Sequence, residues 1–344
     1  MRNFALIVGH QFQKMPNSAP NAEPNNLNKS SQDFLSEESR SNRHLWQLLL
    51  LILVLAGSVG NGSSQTLDYV RSFEVGKSLK TPLNTPGAFA VVSPNVFYIT
   101  DLDFDRVLQS DDTGKVTEVR GRFGWQKQEY DDPTDIVLAQ NLDVYVADYY
   151  NQRLQHYDRN LNFIRTIPLV SSDESVRYYP KSVDQSPDNR IYVLDAEQNQ
   201  LLELNPQGNY LQSLATFSEL GDDLANATRL RVNPNGDIWV LTSGAGNIYL
   251  FDRFGTFKKK IQSPAMENPV GIAFYSESLA FIANQDRQLY RIVNGTVITP
   301  LANVAIPEAS ALTDVAVFRD RLYLLTENPA RIAVYKIKTP MENE

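Results

Sequence analysis

Residues 144–158 read VYVADYYNQRLQHYD, so Asp148, Asn151, Arg153 and His156 fall within nine positions. A carboxylate, an imidazole and a guanidinium this close could serve general acid–base chemistry or hold an anion. The same residue types at the ends of two apolar runs also suit a hairpin, where Asp accepts from turn amides and pairs with Arg. The choice depends on whether the pattern occurs once.

It recurs. The phrase closing the first apolar run appears as FYITD (97–101), VYVAD (144–148), IYVLD (191–195), IWVLT (238–242), AFIAN (280–284) and LYLLT (322–326). The closing residues Asp101, Asp148, Asp195, Thr242, Asn284 and Thr326 are spaced by 47, 47, 47, 42 and 42. Five positions later stand Arg106, Arg153, Gln200, Asn247 and Arg331, with the fifth copy one residue shorter. A recurring Asp/Arg pair of this spacing faces itself across a hairpin, so it is expected to be a clasp. As an exposed pair it would contribute about 0.2–1 kcal/mol. His156 is expected to be a partly exposed strand residue, since it is the lone His of the repeat region and a His-built metal centre needs several ligands.

Each unit must position that hairpin with four strands, in the second unit 134–139, 143–148, 153–158 and 162–170. The period-2 alternation and turn-rich punctuation exclude helical repeats. Six such units imply an all-β, six-bladed β-propeller of four-stranded antiparallel blades. The last unit lacks a fourth strand. Residues 67–76 carry the Tyr69/Phe73 spacing seen in the fourth strands as Phe163/Ile167, Tyr210/Leu214 and Phe257/Ile261, and so are expected to close the ring. Closure of this kind covers an open sheet edge.

In a propeller the first strand of each blade lines the central channel. Aligning these strands gives one apolar set, Phe89, Ile136, Val183, Leu230, Ile272 and Val315, expected between blades. The alternate set holds small or charged residues, and places Asp135, Asp184, Arg229, Arg231 and Asp314 near the axis. Five unpartnered buried charges would be costly. They are expected to pair with one another and with channel water, or to bind a polar ligand through Arg229 and Arg231. Asp135 and Asp314 are candidate ligands for calcium or another divalent cation. No other cofactor is expected. The connecting loops add Phe123, Trp125 and Tyr130, then Tyr178 and Tyr179, beside the hairpin pair Tyr149 and Tyr150. These aromatics form a contact surface for protein, peptide or sugar, or else cap the blade cores.

The unit PTDIVLAQNLDVYVADYYNQRLQHYD (133–158) resembles an NHL repeat, and PNGDIWVL (234–241) and PVGIAF (269–274) match other parts of that pattern. The resemblance covers about residues 67–337. It implies the propeller fold, and propellers of this type include RNA binders, protein scaffolds, lyases and relatives of lactonases. The lyases bind metal through several channel histidines, which this chain lacks. The calcium-dependent lactonase type places a Glu, an Asn and an Asp around one ion; here the channel set has no Glu, and Asn233 falls late in its strand.

Composition narrows the partners. With 40 acidic and 32 basic residues the net charge is −8, which opposes binding to nucleic acid or to anionic lipid. There is no Cys, hence no disulfide and no thiol nucleophile. Ahead of the repeats, residues 1–43 form a polar leader expected to be disordered. Residues 44–60 contain the run LWQLLLLILVLAGSV (45–59), preceded by Arg40 and Arg43. This reads as a signal peptide or an N-terminal membrane anchor. Residues 61–66 read as a linker, 67–337 as the propeller and 338–344 as a tail. Asn226 and Asn294 begin glycosylation sequons. The expectation is a secreted, periplasmic or membrane-anchored propeller that binds or scaffolds a protein, a peptide or a small polar ligand. Membrane contact would come only through the apolar segment. The alternative is a metal-dependent hydrolase or lyase, lactonase-like, with its site at the channel.

Overall fold

The computed structural model describes residues 66–338, apart from 140, 217–225, 245, 264–265, 302–303 and 305–310. The leader, the apolar segment, the linker up to 65 and the tail beyond 338 lie outside the described residues. Among the described residues no helix is long and apolar enough to cross a membrane.

Period-2 alternation gives each short segment one face to bury, and the structure buries it between sheets. Six four-stranded antiparallel sheets form. Blade 1 holds β2 (86–93), β3 (96–101), β4 (106–111) and β5 (116–120). Blade 2 holds β6 (133–138), β7 (144–148), β8 (153–157) and β9 (163–168). Blade 3 runs β10 (180–185), β11 (191–195), β12 (200–204) and β13 (210–216), and blade 4 runs β14 (227–232), β15 (238–242), β16 (247–251) and β17 (257–262). Blade 5 consists of β18 (269–276), β19 (279–284), β20 (289–293) and β21 (297–300). Blade 6 combines β22 (311–318), β23 (321–327) and β24 (331–338) with β1 (66–74) from the start of the described chain.

The expected closure is therefore present. Leu67 pairs with Ile337 and Phe73 with Ile332, with one register shift between Tyr69 and Arg71. Packing reinforces the pairing: the Phe97 ring of β3 lies 5.6 Å from Phe73 of β1 and 5.6 Å from Tyr323 of β23. Beyond β1, the amide of Gly76 donates to the carbonyl of Gly114 in the β4–β5 hairpin. Gly114 has φ +85°, and a Cβ there would stand 2.0 Å from the carbonyl oxygen of Glu74. Only glycine permits that approach.

The six apolar first-strand residues fall where the alternation puts them. Phe89, Ile136, Val183, Leu230, Ile272 and Val315 are all buried, and each joins a different apolar cluster spanning two adjacent blades. Asn294 and Gly295 both have positive φ in the β20–β21 hairpin, the conformation a two-residue turn of that type requires.

Candidate functional site

Two places gather chemistry: the hairpin end of blade 2 and the axis.

In blade 2, Asp148 closes β7 and Arg153 opens β8, and the two are register partners. Arg153 Nε donates to Asp148 Oδ2 at 2.6 Å. The repeat is faithful in blade 1, where Arg106 donates to Asp101 at 2.6 Å, and is neutral in blade 3, where Gln200 donates to Asp195 at 3.0 Å. The expectation of an exposed clasp is corrected, since Asp148 and Asp101 are fully buried and Arg153 and Arg106 are 8% exposed. The reason is the loop that precedes each blade, which folds over the guanidinium. Arg153 donates to the carbonyls of Trp125, Gln126 and Glu129 at 2.7–2.9 Å. Arg106 likewise reaches Thr81 through both its hydroxyl and its carbonyl. Burial raises the Asp148 carboxyl, against the Asp131 amide and Arg153.

The loop 121–132 is thereby fixed at several points. Asn151 donates to the Gly124 carbonyl and to Asp148. Gln155 donates to the Glu129 carbonyl and accepts from the Gln128 amide. Within the loop Arg122 pairs with Glu129, and Lys127 lies over the Phe163 ring of β9. Gly121 (φ +90°) leaves room for the Tyr130 ring, which a Cβ would meet at 2.4 Å.

This loop separates the predicted aromatic surface into two groups. Trp125, Phe123 and Tyr150 are 71%, 63% and 59% exposed. Tyr149 and Tyr179 are half-buried; the Tyr149 ring contacts those of Tyr150 and Tyr179 at 4.9 and 5.5 Å, and its hydroxyl donates to Glu197. Tyr130 and Tyr178 are corrected: both are buried. Tyr130 turns inward to share a 2.6 Å hydrogen bond with Tyr157, and Tyr178 stacks on Tyr210. They complete the blade cores. His156 is corrected as well, at 6% exposure. It stacks on Tyr145 at 4.5 Å, contacts Asp143 at 2.7 Å and accepts from Arg165. Burial lowers its pKa against the pull of Asp143.

At the axis, the first strands do bring the predicted charges together. Asp135 of β6 is fully buried. Its Oδ1 accepts from Arg229, from Arg231 and from the Ile136 amide at 2.8–3.0 Å. Its Oδ2 accepts from Arg231 at 2.7 Å, Ser182 at 2.5 Å and the Val183 amide at 3.1 Å. Burial alone would raise this carboxyl, but Arg231 and Arg229 outweigh it and hold it well below the usual carboxylate range. Arg231 is correspondingly raised. Asp314 is buried and accepts from the amides of Phe89 and Val315, with Arg231 3.8 Å away. Arg229 also reaches the carbonyls of Val270 and Gly87, on blades 5 and 1. The two arginines of blade 4 thus cross the channel and plug it.

The plug divides the channel into two vestibules. On the hairpin face a cavity of about 390 Å³ is lined by Thr134, Thr228, Thr313, Lys181 and Arg229. On the opposite face a cavity of about 360 Å³ is lined by Val137, Val232, Phe274, Phe318, Asp184 and Arg231, among others. Asp184 accepts from the Val232 and Gln185 amides, both at 2.8 Å.

The two proposed cation ligands face arginine rather than open space. Both oxygens of Asp135 are saturated by donors, which leaves no lone pair aimed at an ion. Among the described residues no group of three or more His, Asp or Glu is placed to hold a metal. The alternation places Ser182 beside Asp184 on the channel face but gives it no role, and sequence reading missed Gln155 and Lys181. Gln155 was open to discovery, since it alternates with Arg153 on the clasp side of β8.

Comparison with known proteins agrees with the fold. Residues 130–157 match the NHL repeat family. A search of curated proteins found no match. Among solved structures, a streptogramin B lyase superposes with a TM-score of 0.56 at 14% identity, covering 80% of this chain and 89% of its own. A catalytically inactive virginiamycin B lyase from Staphylococcus aureus, with quinupristin, gives 0.54 at 14% identity, covering 80% and 89%. YCF48 bound to a D1 peptide gives 0.53 at 9% identity, covering 80% and 100%. These likenesses extend to the fold alone. With six blades among the described residues and the ring closed by β1, the chain is a six-bladed β-propeller, and residues 130–157 in its second blade are similar to the NHL repeat.

Proposed function

We propose that this propeller is an extracytoplasmic recognition module that binds a protein or peptide through the hairpin face of blade 2. The observation that carries this reading is the loop 121–132. Its backbone is immobilised by Arg153, Asn151 and Gln155, while Phe123 and Trp125 stand in solvent. Large aromatics on a rigid support lose little entropy on binding and are the side chains that dominate interface energies. The loop meets the packing needs of its own blade through Tyr130, which leaves Phe123 and Trp125 exposed without a packing role. Two of the fold neighbours bear on the partner class: YCF48 was solved with a D1 peptide, and the lyase with quinupristin. Export or anchoring by residues 45–59 supplies the compartment.

The hydrolase or lyase alternative needs a carboxylate at the axis free to hold a cation, and the arginine plug occupies Asp135, its central candidate. The binding reading is tested by peptide-display selection on the full chain, followed by fluorescence polarisation with the enriched peptide. Trp125→Ala should weaken binding by about 30-fold, as loss of an interface anchor does, with Phe123→Ala close behind. Failure to enrich any sequence motif, or equal affinity for wild type and Trp125→Ala, overturns the proposal.

A further inference from the structure

The axis carries three carboxylates, Asp135, Asp184 and Asp314, and only two guanidiniums, Arg229 and Arg231. Both arginines commit to Asp135, and Arg231 extends toward Asp314. Asp184 is left with backbone amides alone, and among the described residues it forms no ion pair. It is also the one of the three that opens onto a cavity, the vestibule of about 360 Å³ on the face opposite the aromatic loop. Arg231 and Gln185 line the same space beside it, and Val137, Val232, Ile272, Phe274, Val317 and Phe318 supply its hydrocarbon wall. That volume lies within the range of small-molecule sites.

We propose that this vestibule is a binding site for a small organic ammonium ion, with the charged nitrogen on Asp184 and the hydrocarbon body against Phe274, Phe318 and the valines. One unpaired carboxylate, beside a guanidinium already committed to Asp135 and facing a hydrocarbon wall, selects such a ligand on three counts. A neutral apolar molecule would leave the carboxylate desolvated and unpaired, which is unfavourable. An anion would meet Asp184 directly, and the plug arginines behind it are already occupied by Asp135. A bare metal ion would find one carboxylate beside the Arg231 guanidinium, short of the several oxygens that hard cations require. An ammonium ion donates to the carboxylate oxygens, which retain lone pairs beyond those engaged by the Val232 and Gln185 amides.

The electrostatic setting is consistent. Burial pushes the Asp184 carboxyl up to about 6, Arg231 opposes this, and Asp135 adds to it. The charged groups facing it are Arg231 and Asp135, and Asp135 and Arg231 in turn face Arg229 and Asp314. At neutral pH Asp184 is thus mostly ionised.

The test is isothermal titration of the full chain with benzylamine, benzyl alcohol and benzoate at about pH 7.5. Benzylamine should bind at least about tenfold more tightly than benzyl alcohol, the preference that one charge-assisted hydrogen bond provides, and benzoate should not bind. The benzylamine preference should shrink at about pH 5, where Asp184 takes up its proton while the amine keeps its charge. Asp184→Asn should abolish the preference. Because that change also alters the acceptor for two amides, Ala316→Leu provides a second variant that keeps the carboxylate and narrows the cavity; it should weaken benzylamine and benzyl alcohol alike. Equal binding of amine and alcohol, no binding of either, or a preference that survives Asp184→Asn overturns the proposal. Trp125→Ala should leave benzylamine binding unchanged, so this site and the aromatic loop succeed or fail separately.

Discussion

Replacing Asp135 by Ala removes the acceptor of six hydrogen bonds at the centre of the ring. It strands two guanidiniums that are 7% and 12% exposed. Breaking a buried pair by deleting one partner costs about 3–5 kcal/mol, because the remaining charge stays desolvated. Two features place the expected cost toward the lower end of that range. Arg229 keeps the carbonyls of Val270 and Gly87, and Arg231 keeps those of Leu230 and Val183. Asp314 also remains near both. For a domain of this size about 1 kcal/mol lowers the melting temperature by about 2–4 °C, so the variant should melt about 6–12 °C lower. Thermal unfolding followed by circular dichroism measures it. Adding Arg231→Met to Asp135→Leu should recover part of the loss, since an apolar replacement of similar volume removes one stranded charge. The surface pair Asp237–Lys258, whose lysine side chain is 46% exposed, provides the control: Asp237→Ala should change stability by no more than about 0.5 kcal/mol. A drop for Asp135→Ala no larger than the control's would refute the claim that the plug is a desolvated, fully paired unit.

Two further outcomes follow from the same geometry. Arg153→Ala should free the loop 121–132 and strand Asp148, so the amides of Gly124, Gln128 and Tyr130 should exchange with deuterium at least about tenfold faster relative to the blade cores; unchanged protection there would show that the clasp does not hold the loop. For Asp184 the folded carboxyl lies above its unfolded value, at about 6, so its contribution is fully present below about pH 4 and is lost as pH rises through about 6. Other buried aspartates titrate nearby, so the readout is the difference between wild type and Asp184→Asn. Wild type should lose on the order of 2–3 kcal/mol more than the variant across that window, and parallel pH profiles would contradict the burial of this carboxyl.

Blade number, strand order, ring closure and the apolar faces were legible because each follows from local alternation and a repeat that the sequence prints six times. The convergence of Asp135, Asp184, Arg229, Arg231 and Asp314 was legible for the same reason, since register fixes which side of a first strand meets the axis. Their pairing was not. Arg229 and Asp135 lie 94 residues apart, and nothing in either strand says that both arginines choose the same carboxylate and leave Asp184 without one. Exposure was misjudged at Arg153, His156, Tyr130 and Tyr178 because it is set by the chain that folds over them. Arg153 looks like a rim residue until the preceding loop lays three carbonyls on its guanidinium. Tyr130 looks like a loop aromatic until Gly121 makes room for its ring.

The pairing of β1 with β24 also orders events in time. Among the described strands, the first must wait for the last: Leu67 cannot meet Ile337 until synthesis has passed residue 337. Until then β1 has no partner, blade 6 lacks its outer strand, and Phe97 lacks the two rings that flank it. A chain truncated anywhere before β24 therefore exposes an unpaired strand at one end and an unsealed apolar cluster at the other, which marks incomplete products for aggregation or proteolysis.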